Sequence, residues 1–387
     1  MLHPWLTLSL TPGIGPILAR RLIEAAGSAS NACAADANLL RMIDGIGTSR
    51  ATAIATALKK ADAEAHAELD RATTAGTRII CPDDDEYPLQ LKTIPDPPLV
   101  LYVRGKLEPR DLHSVAIVGS RRCSFYGREQ AERFGALLGG AGVTVISGGA
   151  RGVDSAAHRG ALSHPHGRTI AVLGSGVNVA YPSENAALFD QIAQRGAVLS
   201  EYPIDTPPLA ENFPKRNRIV SGLSRGVLVV EADDRSGALI TARQAGEDQG
   251  RIVFALPGRV DNKLSTGPHQ LIRDGATLVT KLEDILNDLG PLPAEAIDES
   301  PAAAAQVAAA TPEPPPPSLF EKPAAAPLNL SESQSLLFEQ LTNDPASIDQ
   351  LVDRTGLDAS IILRDLTYLT LKGAVQREAG QTYRRTR

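Results

Sequence analysis

The sequence predicts an α/β chain in which a doubly wound, mostly parallel sheet is preceded by a small helical domain and followed by a winged helix. Three observations carry this. Between Thr77 and Asp288 short apolar runs alternate with helical stretches, the first 70 residues repeat a Gly-Ile-Gly turn, and a late Ala/Pro-rich stretch cuts off a short tail. The expected boundaries are 1–70 for the helical domain, 71–288 for the sheet domain, 289–330 for a linker and 331–387 for the winged helix. At 387 residues the chain has room for two or three domains with a full-sized core.

In the first domain, "TPGIGPILARRL" (Thr11 to Leu22) and "IDGIGTSRATAI" (Ile43 to Ile54) share G-I-G, three residues, then Ala in a helix. This resembles the helix-hairpin-helix motif of SAM-like domains, whose hairpin amides can contact phosphates without reading sequence. Tight interhelical turns of a purely structural kind would need the same glycines, and the sequence leaves both readings open.

The sheet domain is read from "VAIVG" (115–119), "VTVIS" (143–147), "TIAVLG" (169–174), "AVLS" (197–200), "VLVVE" (227–231), "IVFAL" (252–256) and "TLV" (277–279). Runs that are apolar at successive residues belong to strands covered on both faces, hence to a parallel sheet, whose ligand site lies in the loops after the strands. From Pro291 to Leu328 more than half the residues are Ala or Pro, a composition that reads as a disordered, semi-extended linker. The tail pattern of helix, helix-turn-helix and Gly-containing hairpin is the layout of a winged helix. Its recognition helix, "DASIILRDL", carries only Arg364 in its first turns, so a protein contact or a structural role is favoured over DNA reading.

Composition excludes several classes. Cys33, Cys81 and Cys123 are far apart, with no C-x-x-C pair, so neither a disulfide framework nor a zinc ribbon is indicated and a reducing cytoplasm fits. "MLHPWLTLSL" lacks the features of a signal peptide, and no apolar run is long enough for a membrane span. A net charge of −6 means that any nucleic-acid contact must use a local basic groove.

The candidate site is an anion site. "SGGARGVDSAAH" (Ser147 to His158) passes from strand through Gly148, Gly149 and Gly152 into a helix N-terminus, where free amides and the helix dipole favour negative charge. Gly119, Ser120 and Arg121 repeat the arrangement after the first strand, and Arg151 supplies a second guanidinium. Either arginine could instead be a solvated loop charge. "ENFPKRNRIVSGLSRG" (Glu211 to Gly226) starts an apparent helix with Lys215, Arg216 and Arg218 behind Phe213, a loop aromatic suited to stacking on a base, although a Phe buried under its own loop is the commoner case. Gly-rich turns, clustered cations and a ring suit a single strand better than a duplex, which would want a helix or ribbon in a groove. An NAD site is disfavoured because G-x-G-x-x-G is missing after the first strand and the second ends without an acid. Asp154 and His158 lie one helical turn apart but lack metal-ligand partners, so Asp154 is read as a helix-end acid and His158 as hydrogen-bonding toward the sheet. No G-x-S-x-G nucleophile turn is present. No catalytic group, cofactor or metal is expected.

Seven stretches, "GSRRCSFYG", "SGGARGVDSAAHRGAL", "TIAVLGSGVNVAYPSEN", "SEYP", "NFPKRNRIVSGLSRGVLVVEA", "SGALITARQAGEDQGRIVFALPG" and "LIRDGA", resemble in order the bacterial DNA-processing protein A (DprA/Smf) family, over about residues 77 to 280. The resemblance implies a Rossmann-like domain that binds and protects single-stranded DNA, dimerises, and loads RecA recombinase on incoming strands in natural transformation, without catalysis. It assigns DNA contacts to Gly119, Ser120, Arg121, Arg151, Phe213, Lys215, Arg216 and Arg218, and the neighbouring Ser147, Gly148, Gly149 and Asn217 complete the expected DNA-binding set. Several relatives carry Lys at the position of Arg151 and Leu at that of Gly149. The alternative function is a nucleotide-processing, phosphoribohydrolase-like enzyme, but "SGGARGVDSAAH" lacks the paired Glu residues of such chemistry.

Overall fold

A computed structural model of the chain describes residues 2–290, 331–341, 346–371, 374–378 and 382–385. The Ala/Pro-rich segment lies outside the described residues. The chain divides into two compact units, Met1–Ala304 and Ala305–Arg387.

The first unit opens with helices α1 (Leu2–Leu10), α2 (Pro16–Ala26), α3 (Ala29–Cys33), α4 (Ala37–Arg41) and α5 (Thr48–Thr74). Each G-I-G repeat is an interhelical turn. Gly13 (φ +87°) and Gly45 (φ +85°) occupy the left-handed region that a side chain disfavours, while Ile14 and Ile46 enter the helical core. α5 buries Ala51, Ile54, Leu58, Ala61, Ala65, Glu68 and Ala72 along one helical stripe, mostly alanine, that faces its neighbours. Buried Glu68 accepts a hydrogen bond from the amide of Ile204 (2.9 Å), tying this helix to the sheet domain.

The rest of the unit is β1 (Arg78–Ile80), α6 (Leu89–Lys92), β2 (Leu101–Gly105), β3 (Ser114–Val118), α7 (Phe125–Gly140), β4 (Thr144–Ser147), α8 (Val153–Ser163), β5 (Thr169–Val172), α9 (Ala186–Arg195), β6 (Ala197–Ser200), α10 (Asn212–Gly222), β7 (Gly226–Val229), α11 (Gly237–Arg243), β8 (Ile252–Ala255), α12 (Thr266–Arg273), β9 (Thr277–Leu278) and α13 (Leu282–Leu289). The strands form one sheet in the order β1-β2-β6-β5-β4-β3-β7-β8-β9, parallel from β6 to β9. All seven apolar runs contain strands; "VAIVG", "TIAVLG" and "VLVVE" leave the sheet before their last residues, Gly119, Gly174 and Glu231, which begin the loops. Alternate residues serve opposite faces: Ala116, Val118 and Ile146 belong to one buried cluster, Val115, Ile117 and Val145 to the other. The sequence reading named neither β1 nor β2. These short strands pair antiparallel, β2 against β6, and cover an edge that would otherwise be open.

Chain order reverses about β3. β4, β5 and β6 extend the sheet to one side of it, and β7, β8 and β9 to the other, so the loops leaving β3 and β7 part at their carboxyl ends and open a crevice. Among the described residues no helix is long and apolar enough to cross a membrane.

The second unit comprises α14 (Glu332–Gln340), β10 (Ala346–Ser347), α15 (Ile348–Thr355), α16 (Ala359–Leu371), β11 (Val375–Glu378) and β12 (Thr382–Arg385), the winged-helix order. Its three strands form a sheet with β12 in the middle. Arg364 on α16 is exposed, but its Nε lies 3.0 Å from the Asp365 carboxylate, so the cation noted in the sequence is already paired.

Candidate nucleic-acid groove

Three segments meet at the crevice because each follows from a strand end or leads back into a strand. The loop after β3 carries Gly119, Ser120, Arg121 and Arg122; the loop after β4 carries Gly148 to Gly152; and α10, the helix before β7, begins at Asn212. The first two interlock. Gly152 (φ +75°) lies so close to the carbonyl of Ser120 that a Cβ would overlap it, and the amide of Val153 donates to that carbonyl at 3.3 Å. Gly119 is equally constrained, since its Cβ would come within 2.7 Å of Val153 Cγ2.

Glu231, at the end of β7, holds the Arg121 loop from beneath, a role that the sequence reading did not assign. Its backbone oxygen accepts from the amide of Ser120 (2.6 Å), and its buried carboxylate accepts from the amide (2.7 Å) and hydroxyl (2.6 Å) of Ser124. Such charge-assisted bonds are worth about twice a neutral one, so the loop is preorganised.

The result is a groove of about 830 Å³, lined by Gly119, Ser120, Arg121, Arg122, Gly148, Phe213, Arg216, Asn217, Arg235 and Lys263 among others. Arg122, Arg235 and Lys263 went unremarked in the sequence. The last two follow β7 and β8, where the strand-end rule finds them, but each sits among acids (Asp233, Asp234, Asp261) that mask it in a linear reading. Among the described residues Arg121, Arg122, Arg235 and Lys263 are exposed with no carboxylate within ion-pair distance.

Phe213 departs from expectation. It stands not in a loop but in the first turn of α10, half-buried between Arg121, whose guanidinium carbon is 5.0 Å from the ring centroid, and Tyr181, whose ring is 5.4 Å away. Gly174 supports the ring from below, since a Cβ there would come to 3.0 Å from it.

The basic residues of "PKRNR" also separate. At 100° per residue, Phe213, Arg216, Asn217 and Val220 share the groove face, whereas Lys215 and Arg218 line a second hollow with Asp96 and Glu201. Arg218 is 6% exposed and bound by Asp96 (2.8 Å) and Glu201 (2.6 Å), so the structure withdraws it from the candidate contacts. Lys215 is exposed, 3.9 Å from Glu211. Ser147 is withdrawn too, being fully buried with its hydroxyl donating to the carbonyl of Ile117 (2.6 Å). Gly149 (φ +65°) faces Phe189, 2.6 Å from where its Cβ would lie, so a Leu there requires that ring to move. Arg151 is exposed outside the groove lining, in a two-point ion pair with Glu184 (2.7 Å each). Asn217 stays in the lining and donates to the carbonyl of Gly237 (3.3 Å).

Arg216 is the unusual group. It is 4% exposed at the groove floor, packed against Gly148 so closely that a Cβ there would overlap the guanidinium. Its Nε has no hydrogen-bond partner, and no ion pair satisfies it among the described residues. Burial pulls its pKa down to about 10, with Asp154 pulling the other way, so it stays charged at neutral pH. Asp154 is buried behind it and accepts from the amide of Ala150 (3.3 Å), as a helix-end acid should; burial holds its carboxyl above the ordinary range, opposed by Arg216. His158 faces the sheet. The Thr169 hydroxyl donates to the carbonyl of Val145 (2.6 Å), so its oxygen accepts from His158 Nδ1 at 2.7 Å. Burial pushes the imidazole pKa down to about 3, leaving it neutral.

In the helical domain both G-I-G turns open on one hollow of about 370 Å³ with Arg21, Arg50, Asp44 and Asp96, and Arg50 donates to the carbonyl of Gly13 (3.3 Å).

Comparison with known proteins agrees with this architecture. Residues 78–290 match the family model described as DNA recombination-mediator protein A, and residues 321–381 match that of the DprA winged helix domain. The chain is 34% identical to the Protein Smf of Synechocystis over 98% of both chains. It is 51% identical to the Escherichia coli Protein Smf over 54% of this chain and 56% of that one, and 47% identical to the Streptococcus pneumoniae DNA processing protein DprA over 52% of this chain and 71% of that one. The X-ray structure of the S. pneumoniae protein superposes with a TM-score of 0.66 at 34% identity, covering 75% of this chain and 99% of that one. Matched over more than half its length by the family model and end to end by a relative, the chain belongs to the DNA recombination-mediator protein A family, the DprA/Smf proteins.

Proposed function

We propose that this protein binds single-stranded DNA in the groove at the carboxyl edge of its sheet, without chemical turnover, and hands the strand to RecA recombinase. The observation that carries the reading is Arg216, a buried guanidinium whose Nε has no hydrogen-bond partner and which forms no ion pair among the described residues, facing a groove whose rim bears four cations that likewise lack an ion pair among those residues. A buried unpaired charge is costly, and a phosphate oxygen at the groove floor is the group that would satisfy it. Phe213, held between Arg121 and Tyr181, offers a face to a base, a contact that tolerates any sequence. The groove's acids fit poorly with phosphoribohydrolase chemistry, because Asp154 is engaged with the amide of Ala150 and, among the described residues, no Glu pair lines the groove. The family's mediator description supports RecA delivery, and we infer a homodimer formed through the sheet domain.

Fluorescence anisotropy with labelled oligothymidylate tests binding. Affinity should fall steeply with salt and should weaken on Arg121→Ala. Wild-type affinity in that variant, or release of product from a nucleoside monophosphate by the pure protein, would overturn the reading. Delivery is tested by whether the protein speeds RecA filament formation on oligothymidylate while Arg121→Ala does not.

A further inference from the structure

We propose that Phe125 is a second base-stacking platform, placed so that the strand leaves the groove past Arg122 and continues onto the N-terminal turn of α7. This rests on the groove reading. Phe125 is the first residue of α7 and is 72% exposed, the most exposed aromatic side chain in the described residues. A lone exposed ring needs no explanation, but this one stands in a particular setting. Arg122, three residues before it, lines the groove, so the platform continues the same surface. Arg128, one turn later, holds its guanidinium carbon 5.4 Å from the ring centroid and is exposed, as is Lys263 on the groove rim. Tyr126, 41% exposed, donates to the carbonyl of Pro257 (3.0 Å), which fastens this turn to the loop after β8.

The occupant follows from the charge. An isologous contact with a second copy would lay the patch bearing Arg122, Arg128 and Lys263 against the same basic patch of the partner, so like charges would oppose its formation. A nucleic-acid strand reverses that sign, because its phosphates meet the cations while its bases cover the ring. The second platform gives the groove a direction of exit and lengthens the binding site beyond the nucleotides held at Phe213.

The test uses the full chain with Trp5→Phe and Phe125→Trp, so that the single tryptophan reports on position 125. Oligothymidylate long enough to pass beyond the groove should quench that fluorescence, and Phe125→Ala should weaken binding of a long oligomer roughly 5- to 100-fold while leaving a short one unaffected. Normal binding by anisotropy without quenching, with equal affinity of Phe125→Ala for long oligomers, would overturn the platform. The groove reading would survive that result as long as Arg121→Ala still weakened binding. Conversion of a dimer to a monomer by Phe125→Ala would also overturn it, by showing that a second copy covers the ring.

Discussion

Replacing Arg216 by Met removes the guanidinium but keeps an unbranched stem of similar length in the space beside Gly148. In the free protein this deletes a charge that burial disfavours, its pKa being pulled to about 10, and that no hydrogen bond repays at Nε. The change should therefore cost little stability, and the melting temperature is expected to stay within roughly 3 °C of wild type. Asp154 loses its opposing cation and becomes more readily protonated, while its bond from the amide of Ala150 remains. Binding should respond differently. A charge-assisted hydrogen bond to phosphate is worth about 1.5–3 kcal/mol, so the dissociation constant for oligothymidylate should rise roughly 10- to 150-fold. The slope of log affinity against log salt should shrink by about 0.7, the value for one phosphate contact on a single strand. Anisotropy titrations between low and moderate salt, with thermal melts of the same samples, read both quantities. Unchanged affinity would refute the reasoning, and so would a collapse in stability that accounts for the loss of binding, since Arg216 would then be a structural residue.

Gly148→Ala should act on the same group from the other side, because the added methyl displaces the flexible end of Arg216; affinity should fall while the melting temperature holds, and adding it to Arg216→Met should cost nothing further in anisotropy. Glu184→Gln releases Arg151 from its exposed ion pair, so affinity for oligothymidylate should tighten about two- to threefold at low salt and return to the wild-type value at high salt. His158 is neutral and buried with a pKa near 3, against about 6.5 when unfolded. Its contribution is therefore fully present above pH 6.5 and is lost as pH falls toward 3. Between pH 6.5 and 4 this amounts to at most about 3 kcal/mol, so His158→Gln should flatten the dependence of denaturant-measured stability on pH by up to that amount.

Much of this molecule is legible in one dimension. The seven apolar runs give the parallel strands, because burial on both faces leaves no polar alternation to confuse with a helix. The strand-end rule then selects the loops of Gly119–Arg121 and Gly148–Gly152. What the sequence does not give is side-chain direction at a helix start. "PKRNR" reads as one basic cluster, yet helical rotation sends Arg216 to the groove and Arg218 into a buried pairing with Asp96 and Glu201, residues far away in the chain. Ser147 follows the same logic, since its position at a strand end suits an anion but its hydroxyl is spent on Ile117. Glu231, Arg235 and Lys263 were hidden differently: Glu231 reads as the tail of an apolar run, and Arg235 and Lys263 stand beside Asp233, Asp234 and Asp261 in the loops after β7 and β8.

In the proposed complex the strand lies over Arg121, Phe213 and Arg216 at the sheet's carboxyl edge. Photocross-linking with oligothymidylate containing 5-iodouracil, followed by peptide mapping, tests it most directly. Adducts are expected on the peptide carrying Phe213, and they should be lost in Arg216→Met. Adducts confined to the winged helix or to the two Gly-Ile-Gly turns would contradict it.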